Sequence, residues 1–88
     1  MEKLNATLRT YFDLGLNFYN RGEFLKAAEQ WKLAINEEPG FVDAHKYLAL
    51  AYERLGWKHK AKKQWLEYLK VEPDPDARSR VQERLSRL

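Results

Sequence analysis

The sequence predicts an all-helical chain of five helices, built from a helical pair that is used twice. Three observations carry this. Gly22, Ala27, Gln30, Trp31, Glu38 and Pro39 return 34 residues later as Gly56, Ala61, Gln64, Trp65, Glu72 and Pro73, while Leu14 returns as Leu48 and Phe18 as Tyr52. Self-similarity at a period of this length marks stacked supersecondary units, each too small to bury its own apolar face. Between the breaks, apolar residues recur in steps of three and four, the helical period. The breakers themselves, a glycine and a proline in each copy, fall at matching positions.

The first helix is expected over residues 6–20, N-capped by Asn5. Leu8, Tyr11, Leu14, Gly15 and Phe18 form the stripe that should face the second helix, and Phe12, Leu16 and Tyr19 form another beside it. Gly22 supplies the left-handed backbone of the turn. The second helix, 24–37, then presents Phe24, Ala27, Ala28, Trp31, Ala34 and Ile35 inward. Pro39-Gly40 ends the unit, because proline cannot continue a helix and restricts the residue before it. The third helix, 41–55, carries Ala44, Leu48, Ala51, Tyr52 and Leu55. The fourth, 57–70, buries Ala61, Trp65, Tyr68 and Leu69 and exposes Lys58, Lys60, Lys62 and Lys63. Glu72-Pro73-Asp74-Pro75 stops it and starts the last helix, 75–87, with Asp74 as N-cap and Pro75 at its first position. That helix has one narrow apolar stripe, Ala77, Val81, Leu85 and Leu88, as a terminal cap requires.

The spacing Tyr11-x-x-Leu14-Gly15-x-x-Phe18, then Ala27-x-x-x-Trp31 and Pro39, resembles the tetratricopeptide repeat. The second copy reads His45-x-x-Leu48-Ala49-x-x-Tyr52, then Ala61-x-x-x-Trp65 and Pro73. The resemblance implies a right-handed α-solenoid of antiparallel helix pairs in one domain, 1–88. Its parts would be repeat one at 8–41, repeat two at 42–75 and a capping helix at 75–88. Gly15 and Ala49 would let the first helix of each pair approach the second closely. Two departures stand out. His45 occupies a position where the family favours a large apolar aromatic and is expected to loosen packing at the start of the third helix. Trp57 lies one place before the counterpart of Phe24, which should put an indole on the surface.

At 88 residues without cysteine, no disulfide or thiolate metal site can staple the chain. A single core of this size supplies only about 3–5 kcal/mol, so helix packing must carry stability. No apolar run approaches the length of a membrane span, and residues 1–5 lack the apolar core of a signal peptide. A cytoplasmic location follows as the default expectation. The net charge of +3 is unevenly spread: residues 1–56 carry seven Lys or Arg against eight Asp or Glu, and residues 57–88 carry nine against five. Such asymmetry serves solubility or an acidic partner.

No enzyme is expected. Ser79 and Ser86 have no histidine in register. His45 and His59 lie on different helices without a third ligand and read as surface or boundary histidines. Glu37, Glu38 and Glu72 read as solvated helix ends. Neither a cofactor nor a metal is implied, and no small-molecule substrate or membrane partner is expected.

The resemblance implies that the first helices of successive units line a concave groove that receives a polypeptide. The groove positions here are Arg9, Phe12, Leu16, Tyr19 and Asn20 on the first helix, with Asp43, Lys46, Leu50, Glu53 and Arg54 on the third. Arg80, Arg84 and Arg87 come from the last. An apolar floor with arginines at one end suits a segment with apolar anchors and carboxylates, since guanidinium forks pair with acids. The family's clamp for a chaperone's carboxy terminus needs Lys and Asn where this chain has Phe12, Leu16 and Tyr47, which excludes that ligand. Packing of Phe12, Leu16 and Tyr19 against the neighbouring first helix is the competing structural use of the stripe. Homodimerisation through an uncovered amino-terminal edge, with Leu4 and Leu8 exposed, or service as a structural part of a longer scaffold, is the alternative function. Nucleic-acid binding through Lys58, Lys60, Lys62, Lys63 and Lys70 is disfavoured, because no recognition motif accompanies them.

Overall fold

The computed structural model describes residues 2–88, with side chains from Thr7 onward. It contains five helices: α1 Glu2–Asn20, α2 Phe24–Glu37, α3 Val42–Arg54, α4 Lys58–Val71 and α5 Pro75–Arg87. The second and fifth match the sequence expectation, and the third and fourth shift by one residue at each end. The first begins earlier, so Asn5 lies inside α1 and is not its N-cap. The side chains of Leu4 and Asn5 lie outside those described.

The two α-hairpin turns are built identically. Gly22 has φ 81° and Gly56 φ 78°, the left-handed region that glycine enters without steric cost. Glu23 N donates to Phe18 O at 2.9 Å and Gly22 N to Tyr19 O at 3.0 Å. In the second copy Trp57 N donates to Tyr52 O at 2.9 Å and Gly56 N to Glu53 O at 3.0 Å. Each is a Schellman motif, which satisfies carbonyls that the ending helix would orphan. Lys26 lies over the Phe18 ring at 5.7 Å, and its counterpart Lys60 lies over Tyr52 at the same distance. Trp57 stacks on Tyr52 at 5.9 Å with its indole exposed.

The proline breaks also repeat. Glu38 accepts through its side chain from Gly40 N at 3.1 Å, and Glu72 from Asp74 N at 3.5 Å. Asp74 then caps α5, its carboxylate accepting from Ala77 N at 3.1 Å with Pro75 following it. Arg78, which sequence reasoning passed over, folds back to donate to the Leu69 and Glu72 carbonyls. A cation at the C-terminal end of α4 answers both the free carbonyls and the helix dipole.

Packing follows chain order: α1 on α2, α2 on α3, α3 on α4, and least extensively α4 on α5. The molecule is flattened, 39 × 28 × 17 Å, so few side chains are covered on all sides. Small residues solve this. Ala27, Ala28, Ala51 and Ala61 surround Trp31 and Leu48 in one cluster, and Ala49 joins Trp65, Tyr68 and Val81 in a second. Trp31 and Trp65 are the largest fully buried side chains. Removing about 150–250 Å² of each indole from water contributes about 4–6 kcal/mol.

One expected core residue is not in the core. Leu14 is 40 % exposed, although its counterpart Leu48 is 2 % exposed. Leu48 is covered by α2, whereas α1 has no preceding described helix against that face. The neighbouring positions agree, since buried Ala44 and Ala51 on α3 correspond to exposed Thr10 and Asn17 on α1.

Candidate interaction surface

The residues expected to line a groove fall on α1, α3 and α5, and the structure uses several of them internally. Phe12 meets Phe41 at 5.3 Å, Tyr47 at 5.6 Å and Trp31 at 6.2 Å. Tyr19 sits edge-on to Phe24 at 5.1 Å and 5.8 Å from Trp31, and Leu16 packs on the same cluster. The stripe Phe12, Leu16 and Tyr19 is therefore half-buried, with α3 residues against its Phe12 end. Leu50 is half-buried against the second cluster. Arg54 lies over Phe24 at 5.0 Å, so Tyr19 and Arg54 meet through one ring. Lys46 lies 6.0 Å from the Tyr47 ring. Arg9, Asn20 and Arg80 are exposed.

Arg84 is committed elsewhere. Its guanidinium donates to both Glu53 oxygens, at 2.8 and 2.7 Å, and stands 5.4 Å from the Trp65 ring. Trp65 Nε1 donates to the same carboxylate at 2.6 Å. One carboxylate thus joins α3, α4 and α5. Arg84, donating its hydrogen bonds, holds the Glu53 carboxyl below the usual carboxylate range despite partial burial, and Glu53 in turn raises Arg84.

The counterpart indole points the other way. Trp31 Nε1 donates to the backbone carbonyl of Phe12 at 3.2 Å. A Cβ at Gly15 would lie 2.3 Å from that nitrogen, so only glycine admits this orientation. The second copy has Ala49 in place of Gly15, fully buried in the cluster of Trp65. Trp65 turns instead toward Glu53, which stands where the first copy has Tyr19. Sequence pattern alone treats Gly15 and Ala49 as interchangeable small residues; the structure gives them different consequences.

His45 corrects a second expectation. It is 5 % exposed, neither a surface residue nor a loosening defect. Its Nε2 lies 2.7 Å from the Pro39 carbonyl and its Nδ1 2.8 Å from Gln64 Nε2. A carbonyl can only accept, so Nε2 carries the proton and Nδ1 accepts from the amide. The ring ties the proline break to α4, filling an aromatic-sized position with polar groups that are all paired.

Two cavities border these elements. One of about 460 Å³ opens between α1 and the start of α3, lined by Leu8, Arg9, Phe12, Asp13, Phe41 and Asp43. Another of about 230 Å³ lies between α2 and α4 over His45, Leu48 and Tyr52. Burial raises the Tyr52 phenol above its ordinary value. Tyr68 is pushed up to about 12, by burial first and then by its 2.8 Å hydrogen bond to Glu72. Among the described residues no group of three or more His, Asp or Glu is placed to hold a metal ion. No helix there is long and apolar enough to cross a membrane. Compared with models of known protein families and with curated proteins, the sequence matches none.

Proposed function

We propose that this chain is a non-catalytic polypeptide-binding module of tetratricopeptide type, whose odd-numbered helices offer one face to a partner segment with apolar anchors and carboxylates. The observation that supports this most is the aromatic-floored cavity between α1 and α3. Around it and along α3 and α5, Arg9, Lys46, Arg54 and Arg80 form no ion pair with any described side chain. Arg84 serves this reading as a strut and not as a ligand: pairing with Glu53 fixes α5 relative to α3. Binding would then draw on preorganisation, because rings and alkyl stems already packed lose little freedom when a segment arrives.

Selection of random displayed peptides on the immobilised chain tests the reading, run beside a Lys46→Ser, Arg80→Ser version. Enrichment of segments pairing acidic with aromatic or aliphatic residues, lost on the double variant, is the expected result. Enrichment of none, or equal retention by both, rejects it. Self-association has one observation in its favour, the exposed Leu14. Sedimentation at micromolar concentration settles that alternative: a mass twice the monomer's supports it, and a monomer removes it.

A further inference from the structure

The two copies of the repeat act as internal controls for each other, and the first turns of their second helices differ in charge. At the start of α2 stand Phe24, Leu25, buried Ala28 and Glu29, and the matching positions of α4 hold Lys58, His59, Lys62 and Lys63, all exposed, while Lys26 is retained as Lys60. Ala27, Gln30 and Trp31, which pack, are retained as Ala61, Gln64 and Trp65. The scaffold does not need Lys58, Lys62 or Lys63, since α2 forms the same element without them; Lys60, like Lys26, packs over a ring of the turn.

Their placement is also electrostatically unfavourable within the fold. No acidic residue occupies the first turn of α4, and no side chain caps it, so the lysines crowd the positive end of the helix dipole. Lys58, Lys60, Lys62 and Lys63 form no close ion pair with a described carboxylate, Lys63 reaching Glu67 only through space, whereas Lys70 meets Glu67 at 2.8 Å. An anionic partner would relieve that repulsion. Which anion is indicated by what lies among the cations. Leu66 is 52 % exposed among them. His59, Lys63, Leu66 and Lys70 follow steps of four, three and four, which sets them along one outward line of a helix about 21 Å long.

We propose that the outward face of α4 docks on an anionic lipid bilayer surface, Lys58, Lys62 and Lys63 meeting headgroups and Leu66 entering between them. A bilayer surface supplies both partners such a face requires, negative charge and an apolar layer just beneath it. Nucleic-acid phosphates supply only the first. Adsorption of this kind needs no spanning segment, which is the feature on which the expectation of no membrane partner rested.

Co-sedimentation of the full chain with phosphatidylcholine vesicles, with and without phosphatidylserine, tests the proposal. Binding is expected only to the anionic vesicles, weakened at least about tenfold in Lys58→Gln, Lys62→Gln, Lys63→Gln. Leu66→Ser, which leaves the charge intact, should weaken it about threefold or more. All four positions are exposed, so these variants should fold like the parent, which their circular dichroism checks. Equal binding to neutral vesicles, no binding to either, or an unaffected triple variant overturns the proposal. So does tighter binding to duplex DNA or polyglutamate with Leu66→Ser without effect, which would mark a general polyanion patch. The Lys46→Ser, Arg80→Ser chain should sediment like the parent, which separates this site from the groove.

Discussion

Gly15 and Trp31 are a matched pair: the indole occupies the space that any side chain at residue 15 would need, and its N–H reaches the Phe12 carbonyl through that opening. Gly→Ala in a helix interior ordinarily stabilises by about 1 kcal/mol. At Gly15 the sign should reverse, because an atom 2.3 Å from the indole forces α1 away from α2. Gly15→Ala is expected to cost about 1–3 kcal/mol, an overpacking penalty, in urea unfolding. Ala49→Gly in the second copy removes a favourable residue without relieving any clash and should cost about 1 kcal/mol.

Glu53 should govern the acid limb of stability. Its carboxyl lies below the ordinary 4.5 in the folded state and returns to it on unfolding. The contribution is then complete above about pH 4.5 and is lost as pH falls through the lower folded value. Glu53→Gln should flatten the acid limb and cost about 1 kcal/mol or less near neutrality, since Arg84 is half exposed and screened. Glu53→Ala should cost about 1–3 kcal/mol, because it leaves the buried Trp65 N–H unpaired. Urea unfolding midpoints across the acid range distinguish the two.

Tyr68 governs the opposite limb. Its phenol titrates at about 12 in the folded protein against 10.0 ordinarily. Stability from this group is complete below about pH 10 and declines as pH rises through 12. Absorbance titration should show a tyrosine component ionising last, absent in Tyr68→Phe, whose unfolding midpoint should fall less steeply above pH 10.

The sequence made the repeat and its punctuation plain, because Gly22, Gly56, Pro39 and Pro73 act through their own backbones. Schellman turns and proline breaks are local, and local chemistry is written in consecutive residues. Side chains that meet across the stack were not legible. Arg84 and Glu53 are 31 residues apart, and nothing in their spacing pairs them. His45 looked like a misfit because neither the Pro39 carbonyl nor Gln64 advertises itself as its partner. Leu14 and Leu48 are identical in motif and opposite in burial, because periodicity states which face is apolar and not whether a neighbour covers it. The groove stripe shows the same limit: Phe12 and Tyr19 were seen as apolar, but their contacts with Phe41, Tyr47 and Phe24 required coordinates.

The most direct test of the central proposal is where a bound segment lies. Backbone amide chemical-shift mapping of the labelled chain, titrated with the strongest displayed peptide, reads this residue by residue. Saturable shifts concentrated at Arg9, Phe12, Lys46, Leu50 and Arg80, with α2 and α4 silent, are the predicted result. Shifts confined to α2 and α4, or scattered without saturation, would contradict a groove on the odd-numbered helices.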